Sequence, residues 1–284
     1  MRRAIELAEL GRGHVSPNPM VGCVIVHEGR IIGEGYHQKY GEAHAEVNAI
    51  AAVKNKSLLQ HATLFVSLEP CAHFGKTPPC ADLIVSHSIK EVIIGAIDSN
   101  PLVENKGIEK LRQAGINVVT QVLESEVRKQ NVRFFTQMEK KRPYVILKWA
   151  QTKDGFIARS NFDSKWISNT LSRQQVHRWR TEEDAILVGT NTARYDNPRL
   201  NARDWYGKDP IRLVIDRALK LDENLHLFDG TQDTIIYNNS VSKKQDKTEW
   251  VKIEGMIGAE EIIKDLHLRN LQSLIVEGGA AVLA

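Results

Sequence analysis

Two separate segments of the sequence carry the donor atoms of one metal site, so the fold must bring them together. The first is His44-Ala45-Glu46, and the second runs from Pro70-Cys71 to Cys80. One imidazole and two thiolates suit zinc, and three protein ligands leave a fourth position open for water, which is typical of a catalytic site. Bound zinc lowers the pKa of that water towards about 7. We therefore predict His44, Cys71 and Cys80 as zinc ligands and Glu46 as the general acid and base.

The spacing of these residues constrains the local structure. Helix formers resume just before His44, which places His44 and Glu46 in the first turn of a helix. Side chains two positions apart do not face each other inside a helix, so we expect His44 to precede the helical backbone. Cys80 follows two prolines and is expected to begin another helix, while Cys71 follows a strand. A helix N-terminus favours the thiolate, which is the form that binds metal.

Two residues close to this pattern have other interpretations. Cys23 lies inside the apolar run Val21-Gly22-Cys23-Val24, and we expect a buried core residue there. His73 lies between the two cysteines and could be a fourth ligand. A fourth ligand would close the open position, so we favour His73 as a loop residue.

The composition is that of a globular protein with a small positive charge. The chain has 284 residues, a formal net charge of +3 and an aromatic fraction of 6%. This gives no sign of a basic, aromatic-lined surface for nucleic acid, and no apolar run is long enough to cross a membrane. Three cysteines do not read as a disulfide framework, so we expect a cytoplasmic, reducing location. The charge is compatible with a phosphorylated substrate.

A charged cluster near the middle of the chain marks a candidate domain boundary. Glu139-Lys140-Lys141-Arg142 ends one long helix, predicted to follow a strand at Ile116–Val122, and Pro143 comes next. We predict one domain at residues 1–141 and a second at 142–284. In both, strands alternate with helices, which predicts an α/β class with mostly parallel sheets covered on both faces. The polar segment 240–248 is predicted to be a solvated loop.

The end of the sequence leads to a further expectation. The segment Val276-Glu277-Gly278-Gly279 is predicted to end a strand and begin a helix, and only five residues follow it. An average globular helix has about 11–12 residues. We therefore expect an incomplete second domain, with its last strand at an open edge of the sheet or beside a gap.

Six segments of the first half together resemble a known family. They are Ser16-Pro17-Asn18-Pro19-x-Val21-Gly22, Gly35-Tyr36-His37, His44-Ala45-Glu46, Glu69-Pro70-Cys71, Gly75-Lys76-Thr77-Pro78-Pro79-Cys80 and Asp98-Ser99-Asn100-Pro101. This half is similar to the deaminase half of the bifunctional riboflavin-biosynthesis deaminase–reductases, and the long cysteine spacing is the most discriminating part. One departure is Ser99, where the family usually has proline. The resemblance implies a cytidine-deaminase-like α/β/α sandwich.

The resemblance also implies a substrate and its contacts. The substrate would be 2,5-diamino-6-ribosylamino-4(3H)-pyrimidinone 5′-phosphate, which loses ammonia. Asn18 and His37 would contact its pyrimidine and ribose, although Asn18 between prolines is equally a turn residue. Lys76, Asp98 and Asn100 would contact the ribose phosphate end or the loop that holds it. Lys76 suits a phosphate as a point charge, but it could also be a solvated loop lysine.

The second half has less specific sequence motifs for ligand binding. Polar or glycine-rich stretches follow several predicted strands, where ligands of α/β sheets bind, but there is no Gly-x-Gly-x-x-Gly fingerprint. This half resembles the family's reductase domain, which is similar to dihydrofolate reductase, uses NADPH and reduces the ribosyl group to a ribityl chain. The resemblance places six residues on the cofactor: Ala150, Trp166, Ser168, Thr192, Asp196 and Gly279.

The same resemblance implies the reductase's substrate contacts, which are Ser164, Arg180, Leu200, Arg203 and Glu277. The two arginines would hold the substrate's phosphate. Trp166 could equally be a core aromatic residue, and Arg180 could be a solvated helix residue. The resemblance further implies a homo-oligomer that forms through a complete reductase domain.

Two other classes of function stay open on the sequence alone. The first is a tRNA-type nucleic-acid deaminase, which would need the basic, aromatic-lined surface that the composition does not provide. The second is a zinc-stabilised binding protein without catalysis, which would not need Glu46 and would favour four ligands over three.

Overall fold

The computed structural model describes residues 1–73, 78–159 and 167–283. The chain divides into two compact units, Met1–Lys140 and Lys141–Ala284, and each is built around its own sheet. The domain limits 1–141 and 142–284 taken from the sequence stay a prediction. In the part of the chain that is described, no helix has both the length and the apolar character needed to cross a bilayer.

The first sheet has five strands in the order β2-β1-β3-β4-β5. Their bounds are β1 Gly22–His27, β2 Arg30–Tyr36, β3 Thr63–Leu68, β4 Glu91–Ala96 and β5 Asn117–Val119. Strand β1 pairs antiparallel with β2 and β3, whereas β3, β4 and β5 run parallel. The carboxyl ends of β3 and β4 therefore meet at one edge of the sheet, as is general for parallel strands.

Six helices among the described residues accompany this sheet. They are α1 Arg2–Glu9, α2 Ala45–Ala52, α3 Cys80–Ser86, α4 Lys106–Gln113, α5 Glu124–Gln130 and α6 Val132–Lys140, and a 3₁₀ turn spans Lys56–His61. The single long helix predicted to end near Lys140 is wrong, because the chain breaks it into α5 and α6 at Asn131. Asn131 is buried and its side chain bonds the backbone of Met20, so tertiary contacts override a continuous helical pattern there.

Alternating side chains of β1 show how the first unit is layered. Cys23 and Ile25 belong to a core shared with α2, α3 and α4, while Val24 between them packs in a cluster with Ala4 and Leu7 of α1. Successive side chains of a strand point to opposite faces, so helices cover both faces of the sheet. This confirms the α/β/α sandwich and the buried position of Cys23.

The second sheet has seven strands in the order β10-β11-β9-β8-β7-β12-β6. Their bounds are β6 Tyr144–Leu147, β7 Ala185–Gly189, β8 Ile211–Ile215, β9 Thr234–Asn238, β10 Lys243–Gln245, β11 Thr248–Lys252 and β12 Ser273–Val276. Only the β10–β11 pair is antiparallel; the other neighbours run parallel. This confirms the α/β class of the second unit.

The helices of the second unit again lie on both faces of its sheet. Their bounds are α7 Thr170–Glu182, α8 Thr190–Asp196, α9 Ala259–Leu268 and α10 Ala280–Leu283, and a 3₁₀ turn spans His226–Phe228. Leu187 of β7 packs in a core with α9, whereas its neighbours Ile186 and Val188 pack in another with Ala193 of α8. The alternation in β7 therefore fixes the side on which each helix packs.

Two expectations about the second unit are wrong. The segment 240–248 is not a loop throughout, because it contains β10 and the start of β11. A strand at the edge of a sheet tolerates charged side chains, and Lys243 lies over the ring of Trp250. The last strand is also not at an edge, because β12 pairs with β6 on one side and β7 on the other. Order along the chain does not fix order in the sheet.

Candidate active sites

Three elements of the first unit bring the predicted metal donors together. His44 is the residue before α2 and has extended backbone angles, Cys80 begins α3, and Cys71 follows β3. The Nδ1 atom of His44 lies 3.6 Å from Cys71 Sγ and 3.4 Å from Cys80 Sγ. All three donor atoms lie within 4.8 Å of one another. Tetrahedral zinc with ordinary bond lengths separates a sulfur and a nitrogen ligand by about 3.6 Å, so the donor set fits this ion.

The two cysteines are also joined through the backbone. The Cys80 N–H lies 3.4 Å from Cys71 Sγ, and the Ala81 N–H donates to the Cys71 carbonyl oxygen at 3.1 Å. Hydrogen bonds from the Cys80 thiol, His44 and the Cys80 N–H lower the pKa of the Cys71 thiol, although burial opposes them. His73 is exposed and is not part of the donor group. The site therefore offers three protein ligands from the described residues.

Glu46 lies in the first turn of α2, two residues after His44, and is 3% exposed. Burial raises the pKa of its carboxyl to about 7, and the negative charge of Cys71 adds to this effect. A buried carboxyl beside the metal donors can accept a proton in one step and release it in the next. The role of Glu46 as general acid and base stays a prediction.

The structure brings Asn18 and His37 to the same place. The ring of His37 meets that of His44 edge to face, with centroids 5.3 Å apart. Its Nδ1 lies 3.1 Å from the Ala43 carbonyl oxygen, and its Nε2 lies 3.1 Å from Asn18 Nδ2. Because a carbonyl only accepts, Nδ1 carries the proton and Nε2 accepts from the Asn18 amide. His37 is therefore neutral in this arrangement, and it orients Asn18.

Asp98 and Asn100 shape the loop that follows β4. Asp98 Oδ1 accepts the Asn100 N–H at 2.7 Å, and Asn100 Oδ1 accepts the Leu102 N–H at 3.1 Å. Asp98 is buried, and burial raises the pKa of its carboxyl to about 7. Both side chains thus act on the local backbone, and their role at the substrate's phosphate end stays a prediction. The prediction for Lys76 lies outside the described residues.

In the second unit, one cavity of about 2080 Å³ gathers the predicted reductase residues that the structure describes. The cavity lies at the carboxyl ends of the parallel strands β6, β7, β8 and β12. The predicted residues that line it are Ala150, Ser168, Arg180, Thr192, Asp196, Leu200, Arg203, Glu277 and Gly279. The predictions for Ser164 and Trp166 lie outside the described residues.

A buried carboxylate with two basic neighbours lies in this cavity. Glu277 accepts two hydrogen bonds of 2.8 Å from Nε and one Nη of Arg180, and Lys148 Nζ lies 3.4 Å from it. The other Nη of Arg180 donates to the Asn201 carbonyl oxygen. Burial raises the pKa of Glu277, but Arg180 and Lys148 outweigh it and hold the pKa below its ordinary value. Arg180 thus holds Glu277 in place.

The two glycines after β12 approach α8 closely. A Cβ atom built on Gly278 would lie 3.0 Å from the Thr192 side chain, and Gly279 has φ +73°. A side chain at Gly278 would crowd Thr192, and one at Gly279 would strain the backbone. Leu200 nearby is buried and also has a left-handed backbone, with φ 54°. The turn after β12 therefore packs closely against Thr192, and the cofactor contacts of Thr192 and Gly279 stay a prediction.

Three polar residues that organise these sites were not predicted from the sequence. Lys148 lies beside Glu277, and its position at the end of a predicted strand was a usable signal. Glu69 and Asn131 are buried and bond backbone groups of distant segments. No sequence pattern marks such contacts, because their partners lie far away along the chain.

Known protein families match both halves of the chain. The family model described as the cytidine and deoxycytidylate deaminase zinc-binding region matches residues 1–96, and that of the RibD C-terminal domain matches residues 143–284. The riboflavin biosynthesis protein RibD of Aquifex aeolicus is 41% identical over 289 residues, which cover 100% of this chain and 81% of the relative. The Escherichia coli protein of that name is 40% identical over 302 residues, which cover 98% and 80%.

A solved structure has the same fold over nearly the whole chain. It is the diaminohydroxyphosphoribosylaminopyrimidine deaminase / 5-amino-6-(5-phosphoribosylamino)uracil reductase of Thermotoga maritima, with 44% identity and a TM-score of 0.91. The match covers 99% of this chain and 80% of that one. The chain therefore belongs to the RibD family of bifunctional riboflavin-biosynthesis enzymes, with a zinc-dependent deaminase in its first half and an NADPH-dependent reductase in its second.

Proposed function

We propose that His44, Cys71 and Cys80 hold zinc and that Glu46 transfers protons in the deamination of 2,5-diamino-6-ribosylamino-4(3H)-pyrimidinone 5′-phosphate. One observation carries this proposal: the three donor atoms lie within 4.8 Å of one another, beside the buried carboxyl of Glu46. When bound, zinc supplies the Lewis acidity that makes a water nucleophile available near neutral pH. Three protein ligands leave room for that role.

Glu46 manages the protons of this hydrolysis. Its carboxylate accepts a proton from the attacking water while the new carbon–oxygen bond forms on the pyrimidine. It then returns a proton to the amino nitrogen, the carbon–nitrogen bond breaks, and ammonia leaves. Burial of Glu46 excludes bulk water from this exchange. The water supplies the oxygen of the product, so the reaction needs no other reagent.

The residues around Glu46 orient the substrate. Asn18 bonds neutral His37, and the ring of His37 lies against that of His44, which supports contacts with the pyrimidine and ribose. Asp98 and Asn100 fix the backbone of their loop, which supports a role at the ribose phosphate end through that loop. Lys76 completes the proposed contacts as the point charge for the phosphate.

The second reaction takes place in the cavity of the second unit, where NADPH supplies a hydride. Residues along the proposed cofactor path are Ala150, Trp166, Ser168, Thr192, Asp196 and Gly279. Ser164, Leu200, Arg203 and Glu277 contact the substrate. Arg203 is exposed and donates one hydrogen bond to Asn201 Oδ1, so its guanidinium suits the phosphate. Arg180 holds Glu277, and its predicted contact with the substrate's phosphate remains part of the proposal.

Two further properties belong to this proposal. We propose a homo-oligomer formed through the second unit, where β6 is an edge strand of the described sheet; light scattering measures the mass that decides it. We also propose a cytoplasmic location, because zinc binding by Cys71 and Cys80 requires both thiols to stay reduced. All three cysteines of the chain are free.

The test follows the two products in order. Zinc-loaded protein receives the aminopyrimidine phosphate, and ammonia release is measured with tRNA as the alternative substrate. NADPH is then added and its oxidation is followed. We expect ammonia from the pyrimidine alone, and NADPH oxidation only after deamination. Ammonia from tRNA, or none from the pyrimidine, would overturn the proposed deaminase; a deaminated product that leaves NADPH unoxidised would overturn the reductase.

A further inference from the structure

Glu69 is a buried carboxylate next to the metal donors, and the mechanism above does not use it. It follows β3 and precedes Pro70-Cys71 in the chain, and it is 4% exposed. Within residues 1–73, 78–159 and 167–283, it makes no salt bridge. A buried charge without a cation is costly unless hydrogen bonds satisfy it, so the partners of Glu69 must be found elsewhere.

Four backbone N–H groups satisfy the Glu69 carboxylate. Its Oε2 accepts from Asp98 at 3.3 Å and from Asn105 at 3.1 Å. Its Oε1 accepts from Gly107 at 3.0 Å and from Ile108 at 3.3 Å. The donors bracket the loop 98–105, with one at its start and the others where α4 begins. One side chain therefore fixes both ends of this loop.

Glu69 also caps the N-terminus of α4. Asn105, which precedes α4, is left-handed with φ 60° and makes no side-chain capping bond. The first N–H groups of a helix have no partner within the helix. Here Glu69 supplies the acceptors from a distant part of the sequence, and a negative charge at a helix N-terminus is favourable.

The backbone around Glu69 packs against α4 without spare room. A Cβ atom on Gly107 would lie 1.9 Å from the Pro70 carbonyl oxygen, so the first turn of α4 rests directly on the Pro70 peptide. Only glycine permits this approach. The next residue is Cys71. The stretch Glu69-Pro70-Cys71 thus holds a metal donor at one end and the 98–105 loop at the other.

We propose that Glu69 is a positioning residue that sets the place of the 98–105 loop relative to Cys71. The proposal rests on the function above, in which Asp98 and Asn100 of this loop hold the substrate's phosphate end. Glu69 acts through the loop backbone and through the N-terminus of α4. Its loss should therefore weaken substrate binding far more than it slows the chemical step.

The variant that tests this is Glu69→Gln in the full-length, zinc-loaded protein. Glutamine keeps the shape, but its amide nitrogen would face two N–H donors in place of an acceptor. We expect the KM for the aminopyrimidine phosphate to rise about tenfold or more, with kcat changed less than about threefold and one zinc retained per chain. Glu91→Gln is the matched control. Glu91 is a partly exposed hydrogen-bond acceptor at the start of β4, at the end away from the 98–105 loop.

Hydrogen exchange of the unmodified protein gives a second measurement that needs no variant. First-turn amides of a helix ordinarily exchange quickly because they lack partners. We expect the Asn105 and Gly107 amides to be protected in the native protein. Exchange at the unprotected rate would overturn the anchoring role even if Glu69→Gln failed to fold.

The kinetic outcomes separate this proposal from the proposed function. An unchanged KM in Glu69→Gln, or a loss of zinc with a parallel fall in kcat, would overturn the positioning role. If the unmodified protein released no ammonia, the proposed deaminase would fail. The exchange of the Asn105 and Gly107 amides would still decide whether Glu69 anchors the loop.

Discussion

The side-chain amide of Asn131 bonds both backbone polar groups of Met20, 111 residues earlier in the chain. The Met20 N–H donates to Asn131 Oδ1 at 2.8 Å, and Asn131 Nδ2 donates to the Met20 carbonyl oxygen at 2.9 Å. Asn131 lies between α5 and α6, and Met20 lies two residues after Asn18. The junction of two helices therefore fixes the segment that carries Asn18, whose side chain bonds His37.

Asn131→Ala should destabilise the first unit. The change leaves a buried N–H and a buried carbonyl of Met20 without partners, which costs about 2–4 kcal/mol. Hydrogen exchange of peptides from residues 20–27 measures the loss, since the opening free energy sets the exchange rate. Asn117→Ala is the control, because its exposed amide bonds only the Glu91 carboxylate among the hydrogen bonds found. Equal effects of the two substitutions would contradict the proposed role of Asn131.

Glu46→Gln should abolish deamination and leave the metal in place. The amide cannot accept a proton from water, and Glu46 is not among the three donors. We expect kcat to fall by at least about a hundredfold. The zinc content, measured by atomic absorption, should not change. Cys71→Ser and Cys80→Ser should lose both zinc and activity. The control is Glu42→Gln on the exposed chain before α2. Metal-free Glu46→Gln protein would show that Glu46 is a ligand instead.

Glu277→Gln should destabilise the second unit, because Arg180 and Lys148 would lose their buried counter-charge. Breaking such a pair costs about 3 kcal/mol or more. All five tryptophans lie between residues 149 and 250, so tryptophan fluorescence during urea unfolding reports on this unit. Glu254→Gln is the control, since Glu254 is 84% exposed, and surface pairs contribute about 0–1 kcal/mol. Similar midpoints for both variants would contradict this prediction.

The ion pairs of Glu277 with Arg180 and Lys148 make the stability of the second unit depend on pH. Burial raises the pKa of Glu277, but Arg180 and Lys148 hold it below its ordinary value. A lowered folded pKa means that the unfolded chain binds the proton more tightly. The stability that ionised Glu277 adds to the second unit is thus complete above the unfolded pKa of about 4.3. It is lost as the pH falls through the folded pKa. The difference between the unmodified protein and Glu277→Gln should therefore be constant near neutrality and shrink below about pH 4.

Local sequence patterns predicted the elements that strongly apolar or β-branched runs specify. A strand was expected before Cys71 and another ending at Val276, and the structure has Thr63–Leu68 and Ser273–Val276 at these places. The extended backbone of His44 and the helix start at Cys80 were also predicted, because prolines and spacing restrict them locally. These local features are sufficient to predict that His44, Cys71 and Cys80 share one site.

Features that depend on distant contacts were not predictable in the same way. The interior position of β12 depends on its pairing with β6 and β7, which are far away in sequence. The helix break at Asn131 depends on Met20, and the role of Glu69 depends on amides near Asn105. The polar strand β10 has no apolar face to reveal it, because it lies at the edge of the sheet.

Arg203→Ala should weaken substrate binding by the reductase without changing the deaminase. Arg203 lines the cavity, is exposed and bonds only one side-chain oxygen among the described contacts, so its main partner is expected to be the substrate's phosphate. Losing a charged hydrogen bond costs about 1.5–3 kcal/mol, which corresponds to a rise of about tenfold to a hundredfold in KM for the deaminated pyrimidine.

The kinetics of both reactions test this role of Arg203. The KM for NADPH and the rate of ammonia release should not change, because neither involves the substrate's phosphate in the second unit. Arg178→Ala is the matched control on α7, where Arg178 pairs with Glu182 at the surface. Arg180→Ala should differ from both, since it leaves Glu277 buried beside Lys148 alone and lowers the urea midpoint. An equal rise in KM for NADPH, or slower ammonia release in Arg203→Ala, would show that Arg203 does not bind the phosphate of the second substrate.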